Sequence, residues 1–466
     1  MRSKLFGLLI LVSIILSSCA TPTAAPAVQA PAATQPPVVQ TVVVNQTQIV
    51  EKQVLVTPTA GPNPEAVIDG VEANAQISLW TFWLSPTFDD YLKSTIARFE
   101  QTYPGVKVNW EDHQATFLDD YRNAMAAGTA PDVANLSDTE GWVREFASKG
   151  LLLSMTDNLP KNVIDSYYPG LFNLQLVDGK SYQVPWYQAI AIELINKQVY
   201  DKTKLKVEDF PKNYSDLGTL CKTIKQTTGT LCDIRLTMTD LLRDMAYQGG
   251  VKVYDPAAKK FTFDSPEGAA WLQMYVDWVK AGVVDKTALT TTDDRVGLNI
   301  FNTGKAAFYQ TGPQLIRDVR SNNPGMYGYL AVAPLPDGKS GAIAPTSMAL
   351  SVKKDTKFPK AAMALAVFLT NARSQLEFDK LVAVYPSVPA AYDDPFFTAK
   401  AVAIEDSARP LAKDMISKQA DIVPEYPKPA DVNDLVRTAV EQALFNGVDP
   451  QKALTDAAAK ANALGQ

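Results

Sequence analysis

The 466-residue chain holds 46% hydrophobic residues, 44 basic against 50 acidic side chains, one histidine (His113) and three cysteines. A formal charge of −6 with no Lys/Arg block leaves no electrostatic footprint for nucleic acid. One histidine excludes a His-rich metal cage and makes any hydrolytic triad depend on a single residue, and three cysteines exclude a disulfide-stapled scaffold. No metal or cofactor is expected.

Arg2 and Lys4 precede the apolar run Leu5–Leu16, which is too short to cross a bilayer and reads as the core of a signal peptide over residues 1–18. The following Leu16-Ser17-Ser18-Cys19 resembles a bacterial lipobox, with Cys19 as the residue to be acylated. Two or more acyl chains would anchor the chain stably, on the extracytoplasmic face of the cell membrane. A tract of Ala, Thr, Pro, Gln and Val runs on to about Glu65 without an aromatic residue and cannot offset its chain entropy. Residues 19–75 are therefore expected to be a disordered tether, its low-complexity part holding the cargo on the order of 35–40 Å from the bilayer.

From Gln76 the pattern changes. Ile77–Phe82 reads as a strand. Ser85-Pro86 offers an N-cap and a first-turn proline to a helix with Phe88, Tyr91, Leu92, Ile96 and Phe99 on one face. Val106, Val108 and Trp110 alternate on a second strand; Phe117, Tyr121, Ala124 and Met125 mark a helix closing at Gly128, before a third strand over Asp132–Leu136. Asp178-Gly179 is a tight-hairpin signal. Ser265-Pro266 repeats the capping device before a helix with Leu272, Tyr275, Val276 and Val279. Alternation of this kind predicts an α/β fold of parallel sheets with helices on both faces, its ligands bound beyond the carboxyl ends of strands.

Several stretches carry a resemblance. Phe99–Val108, Ala126–Val133 (AAGTAPDV), Asp178–Pro185 (DGKSYQVP) followed by Asn196-Lys197, and Phe301–Ala307 with Gly312-Pro313 are together similar to motifs of one family, in its order. The family is the sugar-type extracellular solute-binding proteins of ABC importers, the maltose-binding-like group. The chain departs from it at Gly341–Pro345, where a glycine pair is usual, and at Glu193–Lys197, which lacks the usual aromatic residue.

The resemblance implies an α/β, two-lobed periplasmic-binding-protein-like fold of the class II type, with the ligand cleft between lobes. It places lobe 1 at 76–188 and 342–404 and lobe 2 at 189–341 and 405–466. The implied partners are a small-molecule sugar, the permease subunits of an ABC importer, and the membrane through the N-terminal lipid.

Sugars present apolar C–H faces and a ring of hydroxyls, which receptors meet with aromatic planes and with carboxylates and amides. Trp83, at the end of the first strand, is a candidate platform, with a place in the core as the alternative. Asp138, after the third strand, can accept hydroxyls or serve as a helix N-cap alone. Trp186 and Tyr187 follow the hairpin at the expected lobe crossing and are the leading candidates, such that Trp186→Ala would weaken binding at least about tenfold. In lobe 2, Asp240 and Arg243 lie before Gly249-Gly250, and Tyr309 and Gln314 flank Gly312-Pro313. Export permits Cys221 and Cys232 to pair; two buried thiols are the alternative. Gly304-Lys305 lacks the spacing of a phosphate loop, and Asp293-Asp294 has no partners at metal spacing. The leading reading is a carbohydrate receptor that does no chemistry; the alternatives are a cell-surface carbohydrate-active enzyme using two carboxylates, or a non-catalytic adhesin.

Overall fold

Apolar strands and capped helices alternate along most of the chain, and the strands sort into two principal sheets. The computed structural model describes residues 65–137, 141–291 and 294–464. Its strands, in chain order, are β1 (Gln76–Phe82), β2 (Lys107–His113), β3 (Val133–Ser137), β4 (Val184–Ala189), β5 (Ile192–Asn196), β6 (Leu231–Asp233), β7 (Tyr254–Asp255), β8 (Lys260–Phe261), β9 (Ala306–Thr311), β10 (Leu330–Pro334), β11 (Thr346–Val352) and β12 (Tyr385–Pro386). A six-stranded sheet runs β12-β4-β11-β3-β1-β2 and a four-stranded sheet β10-β5-β9-β6; β7 and β8 pair by themselves.

The sheets are mixed rather than parallel throughout. β1 is parallel to both β2 and β3, with Leu79 opposite Trp110 and Val133. β11, however, runs antiparallel to β3 and β4, and β5 antiparallel to β9 and β10. A parallel neighbour requires a crossover helix returning to the same end of the sheet. β11 instead follows a strand of the other sheet, so no such crossover sets its direction.

The chain passes between the two lobes at three places. It leaves β4 at Ala189 and enters β5 at Ile192, and it returns from β10 to β11 through residues 335–345. The third passage lies between β12 of the first sheet and residues Ile404–Ala408, which pack on β10 of the second, and the segment after the helix Arg409–Ser417 then runs beside the second crossing: Ile343 N–H donates to Lys418 O (2.9 Å) and Ala420 N–H to Ile343 O (3.1 Å). Each lobe has its own apolar core. Leu79, Leu92, Phe99, Val184, Leu350, Leu365 and Phe378 fill the first. Leu217, Leu241, Trp271, Tyr275, Phe308, Val436 and Leu454 fill the second. A third cluster joins Leu171 and Leu174 to Ile192, Leu194, Ala412 and Ile416 at the crossings. The helix Pro359–Leu369 is buried along Ala361–Leu369, which explains its lack of a polar face.

Local signals account for many element boundaries. Gly128 closes its helix in the left-handed conformation, Asp178 and Gly179 both take positive φ in a turn whose flanking Val177 and Lys180 exchange two 3.0 Å bonds, and Ser265 caps the helix Pro266–Lys280. The helix expected from Ser85-Pro86 starts later, at Asp89, with Phe88 in the cap position. The Ser85 hydroxyl is spent on the Asp89 carboxylate (2.5 Å) instead of on a backbone N–H of the first turn, while the Asp112 carboxylate takes the N–H groups of Leu84 (3.2 Å) and Ser85 (3.1 Å). Cys221, on the helix Tyr214–Thr228, is joined by a disulfide to Cys232 of β6, their Cα atoms 5.7 Å apart.

The compact part begins before Gln76. Residues 65–75, expected to belong to the tether, pack on the first lobe: Ile68 and Ala75 are buried, and Glu65 pairs with Arg98 and Arg373. Glu72 accepts the N–H groups of Lys360 (3.0 Å) and Ala361 (2.7 Å), two donors that the helix Pro359–Leu369 leaves unsatisfied at its start. Partners some 290 positions away gave this segment no local signature. Glu72→Ala is expected to cost about 1 kcal/mol, as loss of a helix cap does; an unchanged urea midpoint would show the contact to be idle.

Candidate functional site

The carboxyl ends of β1 and β2 carry the first group of candidate residues. Asp112 accepts the Thr81 hydroxyl (2.6 Å) and the amide of Gln114 (3.1 Å) besides its two backbone donors, and so fixes the loop after β1. On that loop Trp83 takes φ +59° and donates its N–H to His113 O (3.0 Å). A bulky residue in the left-handed region is strained and persists only where its surroundings hold it. Its side chain nevertheless stands 61% exposed. The indole therefore adds little to the packed core. Beside it, Phe82 stacks on Phe117 (4.7 Å between centroids) and meets Trp142 (5.4 Å), giving a half-buried aromatic shelf.

A cavity of about 870 Å³ opens between the lobes. From the first lobe Gly141, Arg144 and Gln175 line it; from the second come Asp240 and Arg243, with Asp421 and Tyr426 from the segment after the helix Arg409–Ser417. These groups interlock. Gln175 Oε1 accepts the Arg144 N–H (3.0 Å), Asp421 Oδ2 accepts the Gln175 N–H (2.7 Å), and the Arg144 guanidinium stands 3.5 Å from that same oxygen. Burial raises the Asp421 carboxyl above its ordinary range, against the pull of the Gln175 N–H and Arg144. Burial likewise raises the Tyr426 phenol, and Asp240 adds to it.

Asp240 caps the helix Leu241–Gly249, accepting the Arg243 N–H (3.3 Å), and its carboxylate also lies 3.5 Å from the Arg243 side chain. The turn that presents it is shaped from behind by Asp244, which takes the N–H (2.5 Å) and hydroxyl (3.0 Å) of Thr237. Burial pushes the Asp244 carboxyl up to about 6, against those bonds and Arg243. Below about pH 4 this carboxyl is protonated in folded and unfolded chains alike. Between about pH 4 and 6 the unfolded chain releases the proton first, so stability falls with rising pH by on the order of 2–3 kcal/mol. Asp244→Asn should flatten that slope in urea titrations; an identical slope would remove Asp244 as its source.

Asp240 and Arg243 thus reach the cavity, and Trp83 stands at the carboxyl end of β1, outside the residues that line it. Two other candidates lie in the interior. Trp186 is 0% exposed, packed between Tyr187 (5.1 Å) and Phe378 (6.1 Å) in the first lobe's core. Tyr309 is buried in the cluster at the crossings, 6.0 Å from Phe301, with its hydroxyl 3.5 Å from Arg235. Both lie on strands whose two faces are covered, so aromatic residues there serve packing. Tyr187 is half-buried against Phe378, and burial with nearby Asp112 raises its phenol. Gln314 is exposed and lines a different cavity. Asp138 and Cys19 lie outside the described residues.

Trp142, Arg144, Gln175, Asp421 and Tyr426 are the groups the sequence did not single out. Trp142 and Arg144 start the helix after β3, where the strand-end rule that selected Asp138 also points. Asp421 and Tyr426 carry no local signal, because partners distant in sequence, Gln175 and Arg144 for Asp421, bring them to the cleft.

Residues 85–376 match the family described as bacterial extracellular solute-binding protein. The galactooligosaccharide-binding protein of Bacillus subtilis is 24% identical over 391 residues, which cover 81% of this chain and 87% of that one. Among solved structures, a maltose-bound protein of T. maritima is 25% identical with a TM-score of 0.63, covering 84% of this chain and 100% of its own. The cyclic α-maltosyl-1,6-maltose binding protein of Arthrobacter globiformis is 20% identical with a TM-score of 0.67, covering 84% and 99%. With the family match spanning well over half the sequence and two lobes closing on a lined cleft, the chain belongs to the bacterial extracellular solute-binding proteins.

Proposed function

We propose that the chain is the lipid-anchored substrate receptor of an ABC importer, which captures a carbohydrate (a mono- or oligosaccharide, or a polyol) and delivers it to membrane permease subunits. The observation that carries this reading is the interlobe cavity, whose walls come from both lobes and combine Arg144, Gln175, Asp240, Arg243 and Asp421 with Tyr426. The carboxylates and amide suit sugar hydroxyls, and Trp83 and Trp142 offer planes for the C–H faces. Relatives named for galactooligosaccharide and maltose support the same ligand class.

The mechanism is binding without chemistry. An open form holds the sugar on one lobe; closure about the three crossings adds contacts from the other, and the ligand shifts the population by that difference. The closed pair of lobes is then the surface offered to the permease. Micromolar affinity, about −8 kcal/mol, suffices for capture. The proposed lobes are 76–188 with 342–404, and 189–341 with 405–466.

A thermal-shift screen of mono- and oligosaccharides tests the ligand class. A cognate sugar at about one hundred times its Kd adds about 2.7 kcal/mol and raises Tm by a few degrees. A cooperative melt unmoved by the whole panel would count against it. Membrane fractionation tests the anchor: Cys19→Ala should release the chain from the membrane fraction, and retention there would overturn lipid attachment at Cys19.

A further inference from the structure

The polar groups of the interlobe cavity divide into those already spent on the protein and those left for a ligand. The acidic and amide groups are mostly spent. Asp421 Oδ2 accepts the Gln175 N–H (2.7 Å), Asp240 Oδ1 accepts the Arg243 N–H (3.3 Å), and Asp434 pairs with Arg437 (2.9 Å). Asn433 is used at both ends, taking the Leu241 N–H (3.1 Å) and donating to Met238 O (2.9 Å).

Two guanidiniums are not spent in this way. Arg144 from the first lobe and Arg243 from the second both line the cavity, with 27% and 23% of their side chains exposed. Each has a carboxylate only at 3.5 Å, beyond the roughly 2.7–2.9 Å of a charge-assisted hydrogen bond. Neither guanidinium donates a hydrogen bond among the described residues. Arg144 Nε is buried without a partner, so a ligand would meet the terminal nitrogens. Burial and Asp240 raise the Tyr426 phenol while Arg144 and Arg243 both pull it down, so both guanidiniums stand near one hydroxyl. Arg437 adds a third cation to the lining, one turn along the helix Pro429–Asn446 from Asn433.

The unspent capacity of the cleft is thus cationic, donating, and drawn from both lobes. A carboxylate accepts two parallel N–H bonds from a guanidinium fork, which a single sugar hydroxyl does not match. Placed between the lobes, it would also offset the repulsion of two like charges brought together on closure. A phosphate carries about −1.5 to −2 charges and would be opposed by Asp240, Asp434 and Glu425 in the same walls. We propose, building on the reading of this cleft as the carbohydrate site, that its ligand is an acidic sugar: a hexuronic acid or an oligosaccharide that carries one. Arg144 and Arg243 hold its carboxylate, and the remaining oxygens of Asp240 and Asp421 accept its hydroxyls.

Calorimetry of the full chain with matched pairs tests this: galacturonate against galactose, glucuronate against glucose, and digalacturonate against galactobiose, with galactose 6-phosphate as a phosphate probe. At least one uronate is expected to bind about tenfold or more tightly than its neutral partner, and to weaken as salt is raised. Arg144→Gln and Arg243→Gln, on partly exposed side chains, should melt as the parent does and each lower uronate affinity about tenfold. A neutral sugar bound as tightly as its uronate, a tighter phosphate, or uronate affinity unchanged in both variants would overturn the acidic ligand and leave the cleft a carbohydrate site. Silence from every probe, acidic and neutral, would overturn the reading beneath it as well.

Discussion

Trp83→Ala lowers carbohydrate affinity at least about tenfold while leaving stability within about 0.5 kcal/mol of the parent chain. The two halves of this expectation come from the same observation. At 61% exposure the indole contributes little to the folded core, so its removal leaves no cavity behind. The loop beneath it is held by Asp112 and by the 3.0 Å bond to His113 O, none of which uses the indole. What is lost is a plane for the apolar face of a sugar ring. Trp83→Gly sharpens the test, because glycine accepts φ +59° without strain. That variant should match or exceed the parent in stability by up to about 1 kcal/mol and still bind poorly, the pattern of a strained residue kept for function. A Trp83→Ala chain that binds normally but melts early would place Trp83 in the fold instead.

Trp186→Ala has the opposite signature and a larger effect on the fold, a loss of about 3–5 kcal/mol of stability. The indole is fully buried, with Tyr187 and Phe378 around it and Val184 and Leu350 in the same core. Its deletion leaves a void in the first lobe, some way from the residues lining the cleft. Under conditions where the variant stays folded, its carbohydrate affinity should fall little. Unchanged stability with affinity reduced tenfold would instead restore Trp186 as a ligand platform.

The contrast between the two tryptophans shows what could be read in advance. Both follow a strand or hairpin signal at the end of an apolar run, and both fit the pattern of an aromatic platform. They are separated by β11 and β12 pairing on either side of β4 and by the helix Ala372–Asp379 bringing Phe378 over Trp186. Those contacts join positions nearly two hundred residues apart. Features of short range were legible: the β1 strand, the Gly128 helix end, the Asp178-Gly179 turn and the Ser265-Pro266 cap each depend on a few neighbouring residues. Asp240 and Arg243 were legible for the same reason, as residues at a helix start. The packing of residues 65–75 and the arrival of Asp421 and Tyr426 in the cleft depend on partners distant in sequence. Ser85-Pro86 failed as a helix start because the Ser85 hydroxyl that would cap the first turn is taken by the Asp89 carboxylate, and Asp112 on the neighbouring strand fixes the loop before it.

The central claim is that a carbohydrate binds between the lobes. Isothermal titration calorimetry of the chain against mono- and oligosaccharides, including maltose and galactooligosaccharides, tests it most directly. The account predicts one-to-one binding with a Kd on the order of micromolar for at least one sugar, weakened at least about tenfold in Trp83→Ala. An absence of heat with every sugar, from protein that unfolds cooperatively, would contradict it.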